Sequence, residues 1–138
     1  MNSVDPPRLE RQTILMVESD VLVRQPIAEY LRECGYQVLE SGTTDEALLI
    51  LNASALTVDI VLADAQAPGK LDGFGLVRRL KDNSPEIKVI LAGTMAAEAN
   101  KAGDLCEDGP QLSKPYQPRH LVDRIKRALA ARDRARKP

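Results

Sequence analysis

Short apolar runs alternate along the chain with stretches whose apolar residues recur at helical spacing. Thr13–Glu18 (TILMVE), Asp59–Asp64 (DIVLAD) and Lys88–Ala92 (KVILA) are continuous rather than alternating, and rich in β-branched residues. Each predicts a strand buried on both faces. Tyr36–Glu40 (YQVLE) alternates cleanly and predicts another strand, and Gly109–Ser113 holds a weaker fifth. Between them, Val21–Cys34 carries Val23, Ile27, Tyr30 and Leu31 on one helical face, with Ser19 or Asp20 as cap and Gly35 as a left-handed stop. Pro26 conflicts with that helix, because it removes a backbone donor and should kink the chain unless it lies in the first turn. Thr43-x-x-Glu46 has the form of a capping box for a helix through Ala47–Asn52. A turn-rich stretch, Ala65–Asp72, leads to a helix from Gly73 to about Asp82. Met95–Ala102 is a short helical candidate, and a last helix runs from Pro118 to about Ala131 with Leu121, Ile125 and Leu129 inward.

Five strands alternating with five helices imply an α/β fold: a doubly wound (βα)5 parallel sheet, flavodoxin-like, with strand order 2-1-3-4-5. No repeat or linker interrupts residues 12–131, which are expected to form one domain. Residues 1–11 and 132–138 are expected to be loose.

Composition narrows the function. The 138 residues are 43% hydrophobic and 28% charged, with a net charge of −1, enough for one core and without a global field for nucleic acid. There is no Trp and only one Phe, too few rings for a single-strand stacking platform. One His and two Cys exclude multi-histidine metal sites and zinc sites built from four cysteines. Cys34 and Cys106 read as free thiols of a reducing cytosol, and no signal or membrane-spanning stretch is present. A cytoplasmic location follows as the expectation. Charge is uneven: residues 119–138 balance at +6 and the rest at −7. The basic end reads either as a partner face or as a solvated helix, the second being the default for a charge run.

In such a sheet the functional crevice lies beyond the carboxyl ends of the strands, at the switch in strand order. The polar residues gather there. Glu18-Ser19-Asp20 follow the first strand, Asp64 ends the third, and Lys114 follows the fifth. Carboxylates brought together need a cation or a raised pKa, and an oxygen cluster of this kind suits Mg²⁺. A facing lysine supplies a point charge for a phosphate oxygen. Nucleophilic carboxylate, cation and lysine are the parts needed to place a phosphoryl group on an aspartate.

With ILMVESD at the first strand, DIVLAD followed by PGKLDG at the third and SKPY at the fifth, the sequence resembles the bacterial response-regulator receiver domain of the CheY-like superfamily, over roughly Gln12–Ala131. The resemblance implies that Asp64 accepts phosphate from a sensor histidine kinase or phosphotransfer protein. It implies Glu18 and Asp64 as metal-pocket carboxylates, the Gln66 carbonyl as a Mg²⁺ ligand, Lys114 as the phosphate-sensing lysine and Pro115 joined to it through a cis peptide. Output would pass to a downstream protein through the face made by the fourth helix, fifth strand and fifth helix, and the resemblance leaves a homodimer open. Neither nucleic acid nor membrane is an expected direct partner, and no turnover enzyme is expected. With so few residues after the last helix, no output domain is expected.

Three positions depart from the family pattern. Ser19 stands where the family has a second carboxylate that touches the metal, so Mg²⁺ binding should be weak. Gly93 stands where a Ser or Thr hydrogen-bonds the phosphoryl group, with Thr94 one place late, and Gln111 replaces the aromatic switch residue. These departures support an alternative: a phosphorylation-independent pseudo-receiver acting as an interaction module. Ser19 also reads as a plain helix cap, Asp72 as a turn or cap residue, and His120 as a solvated side chain. A nucleotide-binding α/β protein is disfavoured, because ESDVLVR occupies the place of a Gly-rich phosphate loop.

Overall fold

The structure, a computed structural model, describes residues 11–53, 57–93, 112–113 and 117–136. Five parallel strands form one sheet in the order β2-β1-β3-β4-β5. They are β1 (Thr13–Val17), β2 (Gln37–Ser41), β3 (Ile60–Asp64), β4 (Lys88–Gly93) and β5 (Leu112–Ser113). The helices among the described residues are α1 (Val21–Glu33), α2 (Thr44–Ala53), α3 (Gly73–Asn83) and α4 (Pro118–Arg136). The α/β architecture and strand order are those expected. The predicted helix over Met95–Ala102 lies outside the described residues.

Side chains alternate across a strand, so a sheet covered on both sides needs apolar residues at every position. Leu15, Val17, Val61, Ala63 and Leu91 pack against Ala47 of α2 and Phe74, Val77 and Leu80 of α3. The opposite face, Ile14, Met16, Ile60, Leu62 and Ile90, packs against Ile27 and Leu31 of α1 and Leu121, Ile125 and Leu129 of α4. That is why the central strands show no alternation.

Local signals hold at most boundaries. Gly35 adopts φ +101° after α1. Thr43 Oγ1 accepts the Glu46 N–H at 3.0 Å, while Glu46 Oε1 reaches back to the Gly42 N–H at 2.8 Å, one residue beyond the usual capping-box partner. Pro26 sits inside α1, beyond its first turn, and the carbonyl it leaves without a helical donor belongs to Leu22, a residue 81% exposed and open to solvent. One expectation fails. The last helix runs on to Arg136 rather than stopping near Ala131. Arg132 is buried there and paired with Asp59, a tertiary contact that extends the helix through residues with no apolar pattern.

Candidate functional site

Register places Asp64. On β3, Ala63 pairs with Val17 of β1, and Asp64 pairs with Ala92 of β4. Glu18, one residue beyond Val17, therefore leaves the sheet beside Asp64, at the β1–β3 boundary where strand order switches. Brought together at this edge are Glu18, Asp64 and the loop carrying Gln66. Asp64 is half-buried, and its Oδ1 accepts the Gln66 N–H at 3.1 Å. Ala67 N–H donates to the Asp64 carbonyl at 3.0 Å, curling the following loop back over the strand end. Gly73, at the start of α3, lies against that backbone: a Cβ there would collide with the Asp64 carbonyl oxygen.

Glu18 is 4% exposed, and its Oε2 accepts the Asp20 N–H at 3.1 Å. Asp20 is the α1 cap, exposed, with Oδ1 accepting the Leu22 N–H at 2.9 Å. The cap role considered for Ser19 is therefore corrected. Asp20 takes it, because its carboxylate sits one residue closer to the first helical N–H groups. Ser19 is exposed in the connecting turn. The expected convergence of several carboxylates is corrected with it. Among the described residues no three His, Cys, Asp or Glu side chains come together as a metal-holding group. Asp72 caps α3 through the Gly75 N–H at 2.8 Å, as expected of a cap residue.

On the other side of Asp64, Gly93 ends β4 and pairs with Ser113 of β5. This main-chain position presents no hydroxyl. β5 runs toward the same carboxyl edge, and Lys114 follows it in sequence; Lys114, Pro115, Thr94 and Gln111 lie outside the described residues.

Two residues that sequence reasoning passed over hold this edge. Arg24 of α1 donates from Nη1 to the Glu18 carbonyl at 2.8 Å and from Nε to Glu40 Oε1 at 3.0 Å. Glu40 Oε2 also takes Arg32 Nη2 at 3.1 Å, so α1 is braced on the exits of β1 and β2. Thr44, fully buried, donates to the Leu71 carbonyl. Nothing in the local pattern marks either one, since both act across elements.

The arrangement offers a half-buried carboxylate at the end of the central strand, a second carboxylate beside it and a backbone carbonyl in the adjoining loop. Two carboxylates and a carbonyl satisfy part of the oxygen shell of Mg²⁺, which ordinarily completes its coordination with waters and substrate phosphate oxygens. The donor set fits the ion, with one charge fewer than a three-carboxylate pocket.

Comparison with known proteins gives one consistent result. The model of the response regulator receiver domain family matches residues 14–126. The transcriptional regulatory protein AruR of Pseudomonas aeruginosa is 35% identical over 120 residues, covering 84% of this chain and 48% of that protein. The chain thus spans about half the length of that relative. The response regulator receiver protein CpdR of Brucella abortus is 32% identical over 122 residues, covering 86% of this chain and 97% of CpdR. Among solved structures, the signal receiver domain of an HD domain-containing protein from Pseudomonas fluorescens superposes with a TM-score of 0.77 at 26% identity, covering 89% of this chain and 98% of that one.

Proposed function

The chain belongs to the response regulator receiver domain family of two-component signalling, and from that premise we propose that Asp64 accepts a phosphoryl group from the phosphohistidine of a sensor kinase or phosphotransfer protein. The observation that carries the reading is the position of Asp64: a half-buried carboxylate at the carboxyl edge of the central strand, beside Glu18. An Asp64 oxygen attacks phosphorus. The new O–P bond forms as the N–P bond to the donor imidazole breaks, and the bonding pair leaves with the imidazole, which takes a proton from water. The Gln66 N–H holds Oδ1 of the attacking carboxylate. Glu18, Asp64 and the Gln66 carbonyl would hold Mg²⁺, with the Ser19 hydroxyl a weak fourth donor. The bound ion would neutralise charge gathering on the phosphoryl oxygens. By the family resemblance, Lys114 is assigned the positive charge that meets a phosphoryl oxygen. The domain is a signalling module rather than a turnover catalyst, and its output passes by protein contact at the face around β5 and α4.

Incubation with acetyl phosphate and Mg²⁺, read by intact-protein mass spectrometry, tests this directly. One phosphoryl group should add, and Asp64→Asn should abolish it. An unmodified wild-type chain would favour the second reading, an interaction module independent of phosphate. Two observations support that reading: Asp20 is committed to capping α1, and Gly93 offers no hydroxyl opposite Asp64.

A further inference from the structure

The loop that leaves Asp64 is attached to a helix that contributes nothing to the acidic pocket. Thr44, the first residue of α2, is 0% exposed. Its N–H donates to the Pro68 carbonyl at 2.9 Å, and its hydroxyl donates to the Leu71 carbonyl, with the Pro68 carbonyl at 3.4 Å. The next residue, Asp45, accepts the Lys70 N–H on Oδ2 at 3.3 Å. Three residues of the loop, Pro68, Lys70 and Leu71, are thus held by two adjacent residues of α2, across 24 to 27 positions of sequence.

Gly69 lies between these struts with φ +139°, in the region that favours glycine. A Cβ there would collide with Thr44 Oγ1 and come within 3.2 Å of Asp45 Oδ2. The loop backbone therefore lies directly on the helix. Upstream, the same loop begins with the Asp64–Gln66 and Asp64–Ala67 bonds. Downstream it ends in Gly73, whose N–H donates to the Ala65 carbonyl at 3.2 Å. The stretch that carries the Gln66 carbonyl is fixed at both ends, and among the described residues the hydrogen bonds to its middle come from α2.

We infer that Thr44 is a positioning residue for the phosphoacceptor: through Pro68 and Leu71 it holds the loop so that Asp64 and the Gln66 carbonyl keep their attacking and ligating geometry. The inference rests on Asp64 as phosphoacceptor and adds a residue to that reaction that never touches the phosphoryl group. A hydroxyl is needed rather than bulk, because the bonds go to main-chain carbonyls. Valine matches the shape and lacks the donor; serine keeps the donor.

The test compares wild type, Thr44→Val, Thr44→Ser and the surface variant Asp45→Ala in acetyl phosphate labelling with Mg²⁺, alongside amide hydrogen exchange of Gln66, Ala67 and Lys70. Thr44→Val should label at least about tenfold more slowly, since small misplacements of reacting groups carry large rate penalties, and its loop amides should exchange faster. Thr44→Ser should restore the rate to within about twofold of wild type, which a purely volumetric role would not do. Asp45→Ala, which leaves the core intact, should speed exchange at Lys70 and slow labelling more mildly. Thr44→Val labelling at the wild-type rate, or Thr44→Ser failing to rescue it, overturns the inference and leaves Asp64 as acceptor standing. A wild-type chain that takes no phosphate overturns the acceptor reading and this inference together.

Discussion

Arg132 Nη1 lies 2.8 Å from Asp59 Oδ1, closing a contact between residues 73 positions apart. The other oxygen of Asp59 accepts the Thr13 N–H at 2.9 Å. One carboxylate thereby ties α4 to the entries of β1 and β3, at the end of the sheet opposite Asp64. The side chains are 8% and 17% exposed, so water and salt screen this pair weakly.

Removing one partner of such a pair strands the other. Arg132→Met should cost about 3 kcal/mol, the low end for a broken buried pair, because Asp59 keeps its backbone donor. The midpoint of urea unfolding should fall with an unchanged slope. Exchanging both partners for apolar residues should cost less than Asp59→Leu alone, because that single change strands the buried guanidinium as well as the Thr13 N–H.

That contact also shows where sequence reading reaches its limit. The strands were legible because burial on both faces imposes an unbroken apolar run on residues such as Ile60–Ala63, whatever surrounds them. Asp64 was legible because the run ends on it. The end of α4 was not, since Arg132-Asp133-Arg134 has no periodicity and is held by a partner in β3's approach. The choice between Ser19 and Asp20 as cap turned on one residue of backbone rotation, which their similar capping propensities do not reveal. Thr44 and Arg24 bond to main-chain atoms of distant elements, so no spacing rule points to them.

Asp20→Ala separates capping from metal binding. Loss of the bond to the Leu22 N–H should cost about 1 kcal/mol by urea denaturation. Mg²⁺ affinity measured by calorimetry should stay at the wild-type value. A loss of affinity would place the Asp20 carboxylate in the pocket.

Ser19→Asp restores the acidic pair and should act with opposite signs in two buffers. With chelator present, the added carboxylate near Glu18 and Asp64 repels them and should lower stability. With Mg²⁺ saturating, the variant should be the more stable of the two, and its affinity should rise about tenfold, equivalent to about 1.4 kcal/mol. Thermal melts in both buffers, with calorimetry, check the crossing.

Gly73→Ala should be the costlier of two neighbouring glycine changes. Its Cβ would strike main chain, lying 2.8 Å from Ala65 Cα as well as against the Asp64 carbonyl. Main chain cannot turn aside, so a loss of about 1–3 kcal/mol is expected, with slower phosphate labelling at Asp64. At Gly75 the neighbours are side-chain atoms of Leu71, at 3.2 Å and 3.3 Å. Gly75→Ala should be near neutral, since the gain in helix propensity offsets a small shift of Leu71.

Tyr36, half-buried beside the end of α1, has its phenol pKa raised, first by burial and then by the neighbouring Cys34. The unfolded chain ionises near the ordinary tyrosine value of about 10. Below that pH both states are protonated and the contribution of Tyr36 to stability is complete. Above it the unfolded state releases its proton first, so stability falls as pH rises through the folded-state pKa. Tyr36→Phe removes the ionisation and leaves the ring in place. The difference in unfolding free energy between wild type and Tyr36→Phe should be flat from about pH 7 to 9 and then move in favour of the variant above about pH 10. Parallel curves across that range would show that the phenol is as solvated folded as unfolded.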